Sequence, residues 1–245
     1  MTSAPHFTEA TTGYWQRIVD VDADADADAD ADRAAPASDA GPWRFGYPAR
    51  LPDGRVLMLP IRPLANDPTH AVASLILNQA ALDVADTLGR MLAEQLRPHA
   101  PEVVLGLPTL GLTLAPLVAR ALGHTRFVPM GYSRKFWYDE APSVPVQSIT
   151  SPTPGKRIYL DPNQLVLLEG KRVVIVDDAV STGSTLLAAW ELITSLGIDV
   201  VACGVAMRQG TRWADALGAA RAANVVGVFD SPLLRAVPEG WVLRD

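Results

Sequence analysis

The chain has 245 residues, 49% hydrophobic and 20% charged, enough to bury a full core in one α/β domain with elaborations. Its single cysteine, Cys203, excludes a disulfide within the chain. The four histidines (6, 70, 99 and 124) lack metal-ligand spacing, and no apolar run approaches the roughly 18 residues of a spanning helix, so no membrane partner is expected.

Residues 1–20 lack the basic-then-apolar order of a secretory leader, so a cytoplasmic location is expected. The seven aspartates of "DVDADADADADAD", residues 20–32, exceed the whole formal net charge of −6, which leaves the rest of the chain close to neutral. Strict Asp-Ala alternation offers no large apolar side chain to bury and repels itself. Residues 1–40 are therefore expected to form a disordered acidic arm, a solvated spacer rather than a calcium chelator, with "TTGYWQRIV" (11–19) able to dock locally. An acidic arm also repels a phosphate backbone, so no nucleic-acid partner is expected.

An ordered domain is expected over residues 41–245. "WRFGYPARLPDGRVLMLPIRPL" from Trp43 puts a Pro-Asp-Gly turn between two strand-like runs, a hairpin signal. From Pro68 to Leu96, residues Val72, Leu75, Ile76, Leu82, Leu88, Met91, Leu92 and Leu96 recur at near-helical spacing before Pro98, predicting one long helix with a break near Asn78. Regular alternation follows: strand 102–107, helix 112–123, strand 126–130, strand 172–177, helix 184–197, strand 199–207, a short helix near 211–218 and strand 224–229. Cys203 lies in an apolar run and reads as a buried, inert thiol. Strands alternating with helices of about 12 residues predict an α/β, doubly wound, mainly parallel sheet.

The most informative stretch is "VVIVDDAVSTGST", residues 173–185. Its β-branched start reads as a strand buried on both faces, and its end lies at the carboxyl edge of the sheet, where such folds bind ligands. Gly183 permits a turn that a Cβ would resist, and the amides opening the helix at Ser184 present unpaired donors with the positive end of its dipole. Ser181, Thr182, Ser184 and Thr185 add hydroxyls. That array suits a phosphate monoester, whereas Asp177 and Asp178 need donating partners, such as sugar hydroxyls or the water shell of a metal. An aspartate that only caps a turn, or a Ser/Thr/Gly loop alone, carries little weight. A Walker B segment lacks its GxxxxGK[ST] partner here, and a receiver-type acid pocket lacks the phosphate loop.

Over its whole length this stretch resembles the phosphoribosyl pyrophosphate motif of the type I phosphoribosyltransferases, and residues 106–123 resemble the adenine/purine members of that family. The resemblance implies that Asp177 and Asp178 address the ribose 2′ and 3′ hydroxyls, while Ala179, Val180, Ser181, Thr182, Gly183, Ser184 and Thr185 wrap the 5′-phosphate. "GLPTLGLTLAPLVARALG" (106–123) resembles the pyrophosphate loop and following helix, with Leu107, Pro108, Thr109, Leu110 and Gly111 as the loop. A cis peptide is implied near Pro108 and Thr109. Leu110 stands where relatives often carry a basic residue, so the positive charge must come from elsewhere. Arg134 and Lys135, in "GYSRKFWYDE", follow a core strand where the family places bases against pyrophosphate. The span to Leu160 resembles the flexible catalytic lid, with Lys156 and Arg157 able either to close over the anion or to serve as strand-edge charges.

The implied reaction is substitution at the anomeric carbon by a nitrogen nucleophile as pyrophosphate leaves. Mg²⁺ is the implied cofactor, carried by the substrate and touching Asp177 and Asp178 through water. The resemblance implies a hood from residues 41–99 and 230–245 over a core of 100–230, and a homodimer. Phe229 is placed to stack on a planar base, with core packing as its alternative, and Asp230 to accept hydrogen bonds from it. A purine acceptor in nucleotide salvage is expected. The competing class is a phosphoribosyl pyrophosphate-binding regulator with weak or lost turnover.

Overall fold

In chain order the computed structural model, which describes residues 13–20, 41–138, 142–146 and 156–244, contains β1 (Ile18–Val19), β2 (Gly46–Arg50), β3 (Val56–Leu64), β4 (Asp67–Ala73), α1 (Leu82–Leu96), β5 (Val103–Gly106), α2 (Gly111–Ala121), β6 (Val128–Gly131), β7 (Ser143–Pro145), β8 (Arg157–Leu160), β9 (Arg172–Val180), α3 (Ser184–Ser195), β10 (Asp199–Gln209), α4 (Arg212–Leu217), α5 (Ala219–Ala222), β11 (Val225–Ser231), β12 (Leu233–Val237) and β13 (Gly240–Leu243). These fall into two compact units, Ala85–Val228 and Met1–Val84 with Phe229–Asp245. No described helix is long and apolar enough to cross a membrane.

The Ala85–Val228 unit is built on a seven-stranded sheet in the order β11-β10-β9-β5-β6-β8-β7. Strands β10, β9, β5 and β6 pair in parallel, and β8 and β7 add antiparallel pairing at the far edge. Apolar residues run unbroken from Val173 to Val176 of β9, all four buried, because both faces are covered there. Val173 and Ile175 join Leu186, Ala189, Trp190 and Ile193 of α3 in one buried cluster. Val176 pairs with Gly106 and Gly204, which lie on the opposite face. There a Cβ at Gly204 would lie 2.9 Å from Leu96 and 3.1 Å from Leu92, and one at Gly106 would lie 2.8 Å from Ala115. Leu88, Leu92 and Leu96 of α1 are fully buried at spacing four, so the stripe seen in the sequence is this helix's core face. Helix α1, expected in the hood, thus belongs to the sheet unit from Ala85 onward. Cys203 is fully buried, and burial pushes its thiol pKa up, so it is a neutral core residue.

The other unit is an antiparallel sheet in the order β1-β3-β4-β12-β13, with β2 paired to β3. The expected Pro-Asp-Gly turn joins β2 to β3. Leu51 N–H donates to Arg55 O at 2.8 Å, Gly54 N–H to Leu51 O at 3.0 Å, and Gly54 takes φ +87°. Residues 68–73, assigned by their apolar spacing to a long helix, instead form β4, and only Leu82–Leu96 is α-helical after a short 3-10 turn at Leu77–Gln79. Ala71 and Ala73 are buried while Val72 is only partly so, the period of two of a strand, and both flanking strands pair with this segment.

The local docking that residues 11–19 were expected to allow is seen over residues 13–20. Residues 13–20 lie on the sheet through Ile18↔Leu57 and Val19↔Val56. Trp15 is 6% exposed and its indole donates to Ser74 O at 3.0 Å. The reason is local: this stretch, unlike the Asp-Ala run, owns large apolar side chains. The disorder expected of residues 1–12 and 21–40 lies outside the described residues. Trp15→Ala is expected to cost about 3 kcal/mol, as for other buried aromatic truncations, and to lower Tm by several degrees. An unchanged melting curve would show that residues 13–20 contribute no stability.

Candidate phosphoribosyl site

The chemistry suggested by the sequence gathers at the carboxyl end of β9. This strand is longer than expected, running to Val180, with Ala179 paired to Met207 and Val180 to Arg208. Ala179 and Val180 are therefore ladder residues, and the hydroxyl-rich segment beyond the strand is Ser181–Thr185. Gly183 sits at the N-cap of α3 with φ +81°, and a Cβ there would meet the Trp213 carbonyl at 3.0 Å and the Trp213 Cα at 3.1 Å. Glycine is required on both counts. Ser181 Oγ donates to Gln209 Oε1 at 3.0 Å, and the Thr182 and Ser184 hydroxyls lie 3.1 Å apart. Four hydroxyls, that of Ser184 exposed and those of Ser181, Thr182 and Thr185 partly so, and the first amides of a 12-residue helix thus border one turn.

The 107–111 loop lies against the same strand end. Leu107 N–H donates to Val176 O at 2.9 Å, the Pro108–Thr109 peptide is cis, and α2 begins at Gly111 directly over Asp177. A Cβ on Gly111 would lie 2.8 Å from Asp177 Cα, Asp177 Oδ1 and Val176 O alike, so only glycine lets the helix start approach this closely. The Gly111 amide donates to the Asp177 carboxylate, as does the Asp178 N–H at 2.9 Å to Oδ1.

Even with those donors, burial raises the Asp177 pKa well above the ordinary carboxylate range, and the charge of Asp178 raises it further. Burial pushes Asp178 up to about 6, against the lowering effect of hydrogen bonds from Asp177 and the Ala179 amide. Two carboxylates that need more positive or donating partners than the protein gives them are what a diol or a hydrated cation would satisfy.

The basic residues are placed less uniformly. Lys156 Nζ lies 3.8 Å above the Tyr132 ring, whose hydroxyl donates to Pro108 O at 2.7 Å, so Tyr132 stands between Lys156 and the 107–111 loop. Arg157 instead points along the β7–β8 pair, donating to Ser143 O and Oγ at 3.0 Å. Arg134 donates to Tyr138 O at 2.8 Å and Lys135 to Ser133 Oγ at 3.1 Å, so both engage their own exposed turn. Of the expected lid, residues 139–141 and 147–155 lie outside the described residues. In the other unit Phe229 is 3% exposed, packed as a core residue rather than presented as an open ring, while Asp230 is exposed.

Sequence reasoning missed Tyr132, Gln209 and Trp213. Tyr132 stood in a quoted motif beside the bases, but nothing in spacing marks which aromatic reaches the loop. Gln209 carries no local signal.

Residues 75–222 match the phosphoribosyl transferase domain family, a span holding the acid pair, the phosphate turn and the 107–111 loop. The chain belongs to this family. It is 30% identical over 169 residues to xanthine phosphoribosyltransferase of Chloroflexus aurantiacus, covering 63% of this chain and 76% of that one. Adenine phosphoribosyltransferase of Mus musculus is 32% identical over 151 residues, 60% of this chain and 72% of that one. Orotate phosphoribosyltransferase of Halorhodospira halophila is 34% identical over 120 residues, and 48% of each chain is covered. Among solved structures, the Giardia lamblia adenine phosphoribosyltransferase complexed with 9-deazaadenine superposes with TM-score 0.55 at 21% identity, covering 70% of this chain and 93% of that one. The enzyme from Rhodothermus marinus gives 0.53 at 21% identity with the same coverage. These likenesses establish the phosphoribosyltransferase α/β fold.

Two outcomes follow from the geometry. Gly111→Ala is expected to destabilise the protein by about 1–3 kcal/mol, because two of the three clashing atoms are backbone and cannot rotate away; chemical denaturation measures this. A carboxyl group with a higher pKa folded than unfolded stabilises the fold most at low pH, and that stability is lost as pH rises through the folded pKa. Asp178→Asn should therefore match the parent near pH 4 and exceed it by about 1–2 kcal/mol at pH 7.5, after discounting for partial exposure. Parallel melting curves across that pH range would contradict the assignment of a desolvated carboxylate.

Proposed function

We propose that this chain transfers the 5-phosphoribosyl group of phosphoribosyl pyrophosphate to a ring nitrogen of a purine base, releasing pyrophosphate. The observation that carries this reading is the continuity of Asp177 and Asp178 with the Ser181–Thr185 turn at one strand end, beside a loop bonded to that same strand. A sugar phosphate carries a diol and a 5′-phosphoryl group, and the acid pair and the hydroxyl-rich turn are complementary to them in chemistry. A purine acceptor is supported by the relatives named for xanthine and adenine.

In this reading Asp177 and Asp178 accept hydrogen bonds from the ribose hydroxyls, and the Ser181–Thr185 amides and hydroxyls hold the 5′-phosphate. Residues 107–111 border the leaving group, with Arg134, Lys135, Lys156 and Arg157 as its sources of positive charge. The C1′–O bond to pyrophosphate breaks, the C1′–N bond forms, and the nitrogen sheds a proton. Asp178, pushed up to about 6, is in the range where a carboxylate can take and return such a proton at neutral pH. Asp230 is the exposed acidic group assigned to the acceptor side.

The acid pair also suits Mg²⁺ held through water, since carboxylate oxygens are its preferred ligands and both groups lack sufficient positive partners. Bound with the diphosphate, that ion would screen the charge of the leaving group. A homodimer in the cytoplasm, by family resemblance, completes the proposal.

The test combines binding with turnover. Asp177→Asn/Asp178→Asn should weaken calorimetric binding of phosphoribosyl pyrophosphate by about 10–100-fold, the loss of charge-assisted hydrogen bonds, with Tm not lowered. Pyrophosphate release with Mg²⁺ should occur with one of adenine, xanthine, guanine or hypoxanthine and not with orotate or uracil. Unchanged affinity would remove the assigned site, and tight binding without transfer to any base would identify a regulator.

A further inference from the structure

The loop "LPTLG" (107–111) contains no cationic side chain, yet a departing diphosphate must be met by positive charge. Tyr132 stands just past β6, where its hydroxyl donates to the Pro108 carbonyl at 2.7 Å and its ring face lies 3.8 Å below Lys156 Nζ. Lys156 is itself fixed through its backbone: Val146 N–H donates to Lys156 O at 2.9 Å, and Arg157 pairs with Pro145. One aromatic plate therefore links the loop to the lysine, through its edge on one side and its face on the other.

We propose that Tyr132 is a positioning residue that seats the Lys156 ammonium beside the 107–111 loop, so that this lysine supplies the positive charge the loop lacks. The inference rests on the reading of that loop as the pyrophosphate subsite. An aromatic ring suits the task better than a carboxylate would. It orients a cation by its quadrupole without neutralising it, so the full charge stays available to an incoming anion. Arg157 and Arg134 contrast with this, since their guanidinium groups donate to Ser143 and to the Tyr138 carbonyl.

The test is calorimetric titration of the full chain with inorganic pyrophosphate, using Tyr132→Leu, Lys156→Gln and the double variant. Lys156→Gln should weaken binding about tenfold, the loss of a charge-assisted contact. Tyr132→Leu should weaken it about fivefold, within the range of a cation–π contact, and should cause no further loss in the Lys156→Gln background. A purely structural tyrosine would weaken both backgrounds equally, and that result, or full affinity in Tyr132→Leu, overturns the proposal. Tyr132→Gln, a polar side chain without the ring, serves as the second variant if the leucine form melts below the assay temperature, with the same outcomes. A parent chain that shows this coupling but transfers to no base would refute the transferase reading alone. Turnover without the coupling would refute only the role of Tyr132.

Discussion

A pair of carboxylates sits where the protein itself cannot fully satisfy it, and much of the surrounding structure follows from that. Asp177 and Asp178 end the apolar part of β9, so the packing that makes the strand stable also strips water from them. The molecule offers two amide donors to Asp177, one from Gly111 and one from Asp178, and burial still raises both pKa values. Such a site is unfavourable in the empty protein and becomes favourable when a ligand brings hydroxyls or a hydrated cation. On the proposed function, stability is given up where the sugar binds.

Close backbone approach is how the fold brings other groups to that point. Gly111 lets α2 begin over Asp177, and Gly183 lets α3 begin against Trp213 with a positive φ. Two helix starts and a cis-peptide loop thereby converge on one strand end. Parallel pairing of β5, β9 and β10 sends all three strands out at the same edge, which is why one end of this sheet collects the chemistry and the other does not.

The antiparallel unit follows different rules. Its strands come from both ends of the chain: β1 lies beside β3, and β12 beside β4. Ser231 Oγ, buried at the junction of β11 and β12, donates to Ala73 O at 3.1 Å, at the end of β4. Trp43 and Trp241 face each other across an isolated bridge, with Trp43 N–H and Trp241 N–H each donating to the other's carbonyl at 2.8 and 2.7 Å. Pairings of such sequence separation leave no periodic trace in either segment.

The sequence alone determined the alternation of strands and helices, the buried central strand and the acidic-then-hydroxyl turn, because each depends on residues that are neighbours along the chain. It also indicated where the cis peptide lies, through resemblance. It misassigned residues 68–81, where short apolar side chains fit a helix stripe and a strand equally well until β3 and β12 are present to pair with them. It ended the central strand at residue 177, since nothing local reveals that β10 keeps β9 extended to Val180. Only tertiary structure decided which sheet receives Trp15, that Phe229 is buried, and which basic residue lies over Tyr132. Lys156 and Arg157 are adjacent and chemically alike. Their side chains leave β8 and its edge in different directions, and the partner each one finds, Tyr132 or Ser143, belongs to a distant segment that no local pattern can name.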